Sequence, residues 1–161
     1  MKPSHPRRGT LKGARRIALA LVASASLAPC AAEAALGGDL ASIARDHESL
    51  RASVAVMPTV AYDRHELTTA TGIRVREYAD RTGKVFAVTW QGRQLPDLGQ
   101  LLGGYAERYA AAARAGTHAR RALAVNAPDF VLSVVRLPRG FSGQAYLPGA
   151  VPAGVGREEL R

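Results

Sequence analysis

The chain has 161 residues, with 22 lysines and arginines against 13 aspartates and glutamates and a formal net charge of +9. Six of the bases and one acid fall within the first 34 positions, which leaves 16 against 12 and a net charge of +4 for the rest. The remaining arginines are scattered, with no run longer than Arg120-Arg121, a solvated surface and not the footprint of a nucleic-acid binder. The one cysteine, Cys30, also lies in that first segment, so the chain beyond it can form no disulfide and must hold itself together by packing.

Residues 1–34 read as a cleavable export signal. Lys2, Arg7, Arg8, Lys12, Arg15 and Arg16 make a basic start, an apolar run follows from Ile17 to Ala28, and Ala32-Glu33-Ala34 supplies a cleavage site. The apolar run is 12 residues long, short of the ~18 that a membrane-spanning helix needs, and no later segment is longer. A transmembrane segment is therefore not expected after signal removal, and the expected location is the periplasm or the exterior. Leu27-Ala28-Pro29-Cys30 has the outline of a lipoprotein signal, but proline is a poor fit to the small residue required before the cysteine. Arg7-Arg8-Gly9-Thr10-Leu11-Lys12 echoes a twin-arginine signal without its usual aromatic, so the export route stays open.

Residues 35–161 suffice for one domain that buries roughly two thirds of its unfolded surface. Asp39 or Ser42 caps a short helix through about Ala52, with Ile43, His47 and Leu50 on one face. Pro58 ends any helical continuation, and three strands follow at about 59–69, 73–80 and 84–91, separated by Thr71-Gly72 and Asp80-Arg81-Thr82-Gly83. Asp97, with Gln100 three residues on, starts a helix running to about Ala115, with Leu98, Leu101, Leu102, Tyr105 and Tyr109 on one face. Gly103 and Gly104 inside it should cost roughly 1 kcal/mol each relative to alanine, which points to close packing there. Three more strands are expected near 119–126, 129–136 and 141–147, and 148–161 reads as an irregular tail. The fold class is α+β: one domain whose antiparallel sheet comes from two three-stranded units, each preceded by a helix. Whether the units join is not legible.

Register follows from the side chains, because a slip of one residue exchanges the two faces of a strand. A three-residue loop ending in Gly72 pairs Leu67 with Val75, His65 with Glu77 and Glu66 with Arg76. Pairing Ala79 with Lys84 across the next turn sets Val75 against Val88, Ile73 against Trp90 and Glu77 against Phe86. His65, Glu77 and Lys84, the one lysine beyond the leader, then meet at the end of an apolar face. Such a cluster can move a proton or grip an anion; it can equally be an ion pair that fixes register, and no nucleophile or metal set lies nearby. Arg74, Arg76 and Tyr78 occupy the opposite face, either as a solvated surface or as a binding face.

The stretches "HELTTATGIRVREYADRTGKVFAVTW", "LPDLGQLLGGY" and "FSGQAYLP", with the start "ALGG", resemble the bacterial domain-of-unknown-function family numbered 2844 over nearly the whole chain after the leader. The resemblance implies small exported proteins, chiefly of proteobacteria, with no established activity, cofactor or catalytic residues.

Other constellations carry less. His47, His65 and His118 stand 18 and 53 residues apart, in no metal-binding spacing, so no metal is expected. Gly140-Phe141-Ser142-Gly143 falls one residue short of a nucleophile elbow and precedes a strand where the elbow precedes a helix. Gly154-Val155-Gly156 begins like a dinucleotide fingerprint without the helix and strand that must follow, and no cofactor is expected. Trp90 belongs to the core. The function expected is that of an exported protein that binds an envelope partner or ligand without catalysis. The alternatives are a small envelope hydrolase or isomerase using His65 and Glu77, and a structural subunit of a surface assembly, which requires an exposed edge strand.

Overall fold

The computed structural model describes residues 36–116 and 121–160; the leader, His118 and the first residues of the strand expected from 119 lie outside the described residues. Helix α1 spans Leu40–Leu50 and is followed by strands β1 (Ala52–Pro58), β2 (Tyr62–Thr69), β3 (Arg74–Asp80) and β4 (Val85–Gly92). Helices α2 (Leu98–Leu102) and α3 (Ala106–Ala115) lead into β5 (Ala122–Asn126), β6 (Val131–Leu137) and β7 (Gly140–Tyr146). The seven strands make one antiparallel sheet in the order β1-β2-β3-β4-β7-β6-β5. The α+β class stands, and the β4–β7 pairing joins the two halves. The first half has four strands where three were expected, because α1 stops at Leu50 and the chain turns straight into β1. Arg51 makes that turn in the left-handed region (φ 47°), its N–H donating to the Glu48 and His47 carbonyls. No helix among the described residues is long and apolar enough to cross a membrane.

Asp39 caps α1, its carboxylate accepting from the Ser42 amide at 3.1 Å. The buried positions of the helix are Ser42, Ile43 and Asp46, so it lies rotated from the expected Ile43, His47 and Leu50 face. Asp97 likewise caps α2 through the Gln100 amide at 3.1 Å. The single long helix expected from there is broken by a 3-10 turn at Gly103–Tyr105. Gly103 takes a positive φ of 52°, a conformation that disfavours a side chain, and a Cβ on Gly104 would meet nothing within 4 Å. The two glycines thus mark a bend and not a close contact.

Leu98, Leu101 and Leu102 pack with Leu67, Val75, Val88, Trp90, Leu132 and other residues of the inner sheet face in the larger apolar cluster. Each such leucine contributes about 1.5–3 kcal/mol when fully buried. Tyr105 stacks on Phe130 at 4.8 Å between ring centroids and extends the cluster towards α3. Trp90 lies in the core as expected, opposite Gly143, where a Cβ would come within 2.3 Å of the indole. Glycine is what lets the ring lie flat across β7.

The β2–β3 register is the expected one: Leu67 faces Val75, His65 faces Glu77 and Glu66 faces Arg76, with Gly72 left-handed in the turn (φ 79°). The β3–β4 register is not. Val75 faces Trp90 and Glu77 faces Val88, because an irregularity between Tyr78 and Ala79 sets one extra residue, Phe86, into β4. The bulge turns Phe86 to the outer face, where it meets Tyr62 and Tyr78 at centroid distances of 6.0 and 6.2 Å. With Ala87, Tyr146 and Leu160 these rings form a second, smaller core under the C-terminal segment.

Candidate functional site

Three residues were expected to meet at the end of the inner face, and the fold keeps two of them there. His65 and Glu77 stand opposite each other across β2 and β3. Lys84, moved off by the bulge, is exposed at the hairpin tip, where its backbone amide donates to Asp80. In its place α1 presses Asp46 towards Glu77. Glu77 is 0% exposed and Asp46 2%. Gln100, at the start of α2, donates to Asp46 Oδ1 at 2.6 Å and accepts from Ser49 Oγ at 2.8 Å, tying the two helices together above the sheet.

Burial, then the charge and hydrogen bonding of Asp46, push the Glu77 carboxyl from its ordinary 4.5 up to about 9. As an ionised group Glu77 would have two buried acceptor oxygens with no donor among the described residues. A proton turns it into a donor that faces Asp46, the arrangement by which two buried carboxyls share a site. Burial also lowers His65, against a smaller opposing effect of Asp63, so its imidazole is neutral at neutral pH. His65 Nε2 has no hydrogen-bond partner among the described residues. Glu77 is wholly buried beneath α1, and neither it nor His65 lines the two cavities described below. Its chemistry is that of a proton kept in place.

The outer face is different. Register sets two polar rows side by side across the middle of the sheet: Arg76, Thr89, Gln144 and Ser133 in one, Arg74, Gln91, Ser142 and Val135 in the next. Together they line a groove of about 350 Å³, closed at one side by Leu160. Arg74 and Gln91 also line a neighbouring pocket of about 630 Å³ at the sheet end, beside Arg93, Arg139 and Phe141. Glu66 accepts from Arg76 Nε at 2.6 Å and lies 3.3 Å from Arg74 Nε; the Arg76 bond, ahead of other effects, holds the Glu66 carboxyl below its usual range. Of the binding residues expected on this face, Arg74 and Arg76 lie in the groove. Tyr78 does not: it is 0% exposed in the smaller core. Ser142 sits in the groove between Gln91 and Val135, in no hydrolase setting.

Asp46, Arg93 and Arg139 were not anticipated. Asp46 is an acid on the buried face of a helix, which a hydrophobic pattern assigns to solvent. Arg93 and Arg139 are separated in sequence and meet only because β4 and β7 are neighbours. Among the described residues no cluster of three or more His, Cys, Asp or Glu could hold a metal ion.

These features define a small α+β protein with helices on one face of a single antiparallel sheet and an open, arginine-bearing groove on the other. Residues 32–160 match the family described as "Protein of unknown function (DUF2844)", and the chain belongs to it. No curated protein and no solved structure matches the chain.

Sharing a proton has a consequence for stability. The folded state keeps the Glu77 proton up to about pH 9, whereas the unfolded chain releases it near 4.5. Across that interval the folded state binds more protons, so this group makes the protein less stable as pH rises from 4.5 towards 9. Glu77→Gln supplies a neutral donor of the same shape. Urea unfolding from pH 5 to 9 should show the wild type losing stability more steeply than this variant, with Glu77→Gln the more stable of the two at the alkaline end. Lys84→Met should add to Glu77→Gln without coupling, while Asp46→Asn should couple to it.

Proposed function

We propose that this is an exported protein of the periplasm or envelope that acts by binding an anionic ligand on its outer sheet face, without catalysis. The observation that carries the reading is the contrast between the two faces. Of His65 and Glu77, the pair best suited to acid-base work, Glu77 is wholly buried under α1 and His65 partly buried, while Arg74 and its neighbours line an open groove. The basic start, apolar run and Ala32-Glu33-Ala34 of the leader support export.

The test uses protein purified after expression of the whole chain. Calorimetric titration with tripolyphosphate should give saturable binding, weakened at least about tenfold when Arg74, Arg93 and Arg139 are all changed to glutamine. Glu77→Gln should leave that binding unchanged. Absence of binding, or binding indifferent to the arginines, would contradict the reading.

A second reading, a subunit of a surface assembly, is favoured by β1. This edge strand carries no charge and exposes Val54 at 40% and Val56 at 53%, where natural edges usually carry charges that block pairing. Val54-Ala55-Val56 reads the same in both directions, so antiparallel pairing with a second copy about Ala55 sets Val54 of one copy against Val56 of the other. Light scattering should give twice the chain mass for the wild type and the single-chain mass for the double variant Val54→Lys, Val56→Lys. A wild type of single-chain mass at high concentration would sink this reading.

A further inference from the structure

Building on the anion-binding reading, we propose that the ligand is an acidic oligosaccharide laid across the outer sheet face, with its acid groups at the arginine end. The larger pocket brings Arg74, Arg93 and Arg139 together with no carboxylate in its lining. Arg93 and Arg139 have no acidic partner among the described residues, so their forked N–H donors are available for a carboxylate or phosphate. The wall between them is apolar, made by Leu137, Pro138 and Phe141. Arg136 stands 5.9 Å over the Phe141 ring and adds a fourth positive charge behind it. An acid group beside an apolar ring face is the chemistry of an acidic sugar.

The adjoining groove extends the argument from the charge to the rest of the ligand. It shares Arg74 and Gln91 with the pocket and continues past Thr89, Ser142, Gln144 and Ser133. Those side chains are neutral and each can both donate and accept, which suits a chain of hydroxyl groups. A bare polyphosphate would leave this row unused. Single-stranded nucleic acid stacks its bases on successive aromatic rings; here Phe141 is the one ring among the described residues to line the pocket, and Trp90, which borders the groove, turns its indole to the inner core. Four strands, β3, β4, β7 and β6, lie under the groove. At ~4.8 Å per strand spacing they span roughly 15 Å, room for several sugar units and more than a single ion fills. Leu160 closes one side of the groove and the pocket opens at the other, which sets the direction of the chain.

The decisive experiment compares probes on one preparation of the full chain by calorimetry: a galacturonic acid hexamer, a phosphorylated mannose oligosaccharide, neutral maltohexaose, tripolyphosphate and a single-stranded oligonucleotide. The expected result is that at least one of the two acidic oligosaccharides binds about tenfold or more tightly than tripolyphosphate, whichever acid group it carries, and that maltohexaose does not bind measurably. The double variant Arg93→Gln, Arg139→Gln should weaken every anion. The double variant Gln91→Ala, Ser142→Ala should weaken the acidic oligosaccharide at least fivefold and leave tripolyphosphate unchanged, a difference that misfolding would not produce. Tripolyphosphate binding as tightly as the tighter of the two acidic oligosaccharides would overturn the oligosaccharide and leave the anion site standing. Tighter binding of the oligonucleotide would replace it with a nucleic-acid face. Failure of every probe would remove both this inference and the reading it rests on.

Discussion

A proton held between Glu77 and Asp46 is the contact on which the division of this molecule into two unlike faces rests. Two ionised carboxylates brought together at this depth meet both the cost of desolvation and their mutual repulsion, and one shared proton relieves both. With one proton between them, α1 can close over Glu77, and Gln100 can tie α2 to the same place through Asp46. The inner face thereby becomes a dry layer of leucines, valines and Trp90 under two helices. Glu77 becomes part of that packing.

The outer face is covered in one part and open in another. Antiparallel sheets tolerate water on one side, and among the described residues the segment beyond β7 covers Tyr62, Tyr78, Phe86 and Tyr146. The remaining rows must live in solvent, and they carry serines, threonine, glutamines and arginines in consequence. The bulge at Phe86 belongs to the same division, since it sends a large ring to the covered part of that face. Glu66 then holds Arg76, and less closely Arg74, at the border of the open rows, so one guanidinium is anchored while those of Arg93 and Arg139 remain available.

Much of this was legible in the sequence where local chemistry decides geometry. Gly72 required a three-residue turn, and that turn set the β2–β3 register and the pairing of His65 with Glu77. Asp39 and Asp97 announced their helices. The losses share a different cause, a dependence on contacts distant in sequence. Phe86 leaves the ladder because Tyr62 and Tyr78 wait on the other face, although a carboxylate placed opposite a phenylalanine was itself a sign of the wrong register. β1 was hidden because Arg51 makes a left-handed turn without the glycine that usually marks one. Asp46 was hidden because an acid inside a helix reads as solvent-facing unless its partner is known. The pocket of Arg74, Arg93 and Arg139 exists only once β4 lies beside β7.

The central claim is that Glu77 keeps its proton at neutral pH as a buried structural group. Carbon-13 NMR of the glutamate side-chain carboxyls, assigned with Glu77→Gln and followed from pH 3 to 10, measures that proton directly. The account predicts that the Glu77 signal keeps its protonated shift through neutral pH and titrates near 9. A midpoint near 4.5, among the exposed glutamates, would contradict it and return His65 and Glu77 to the list of groups free to do chemistry.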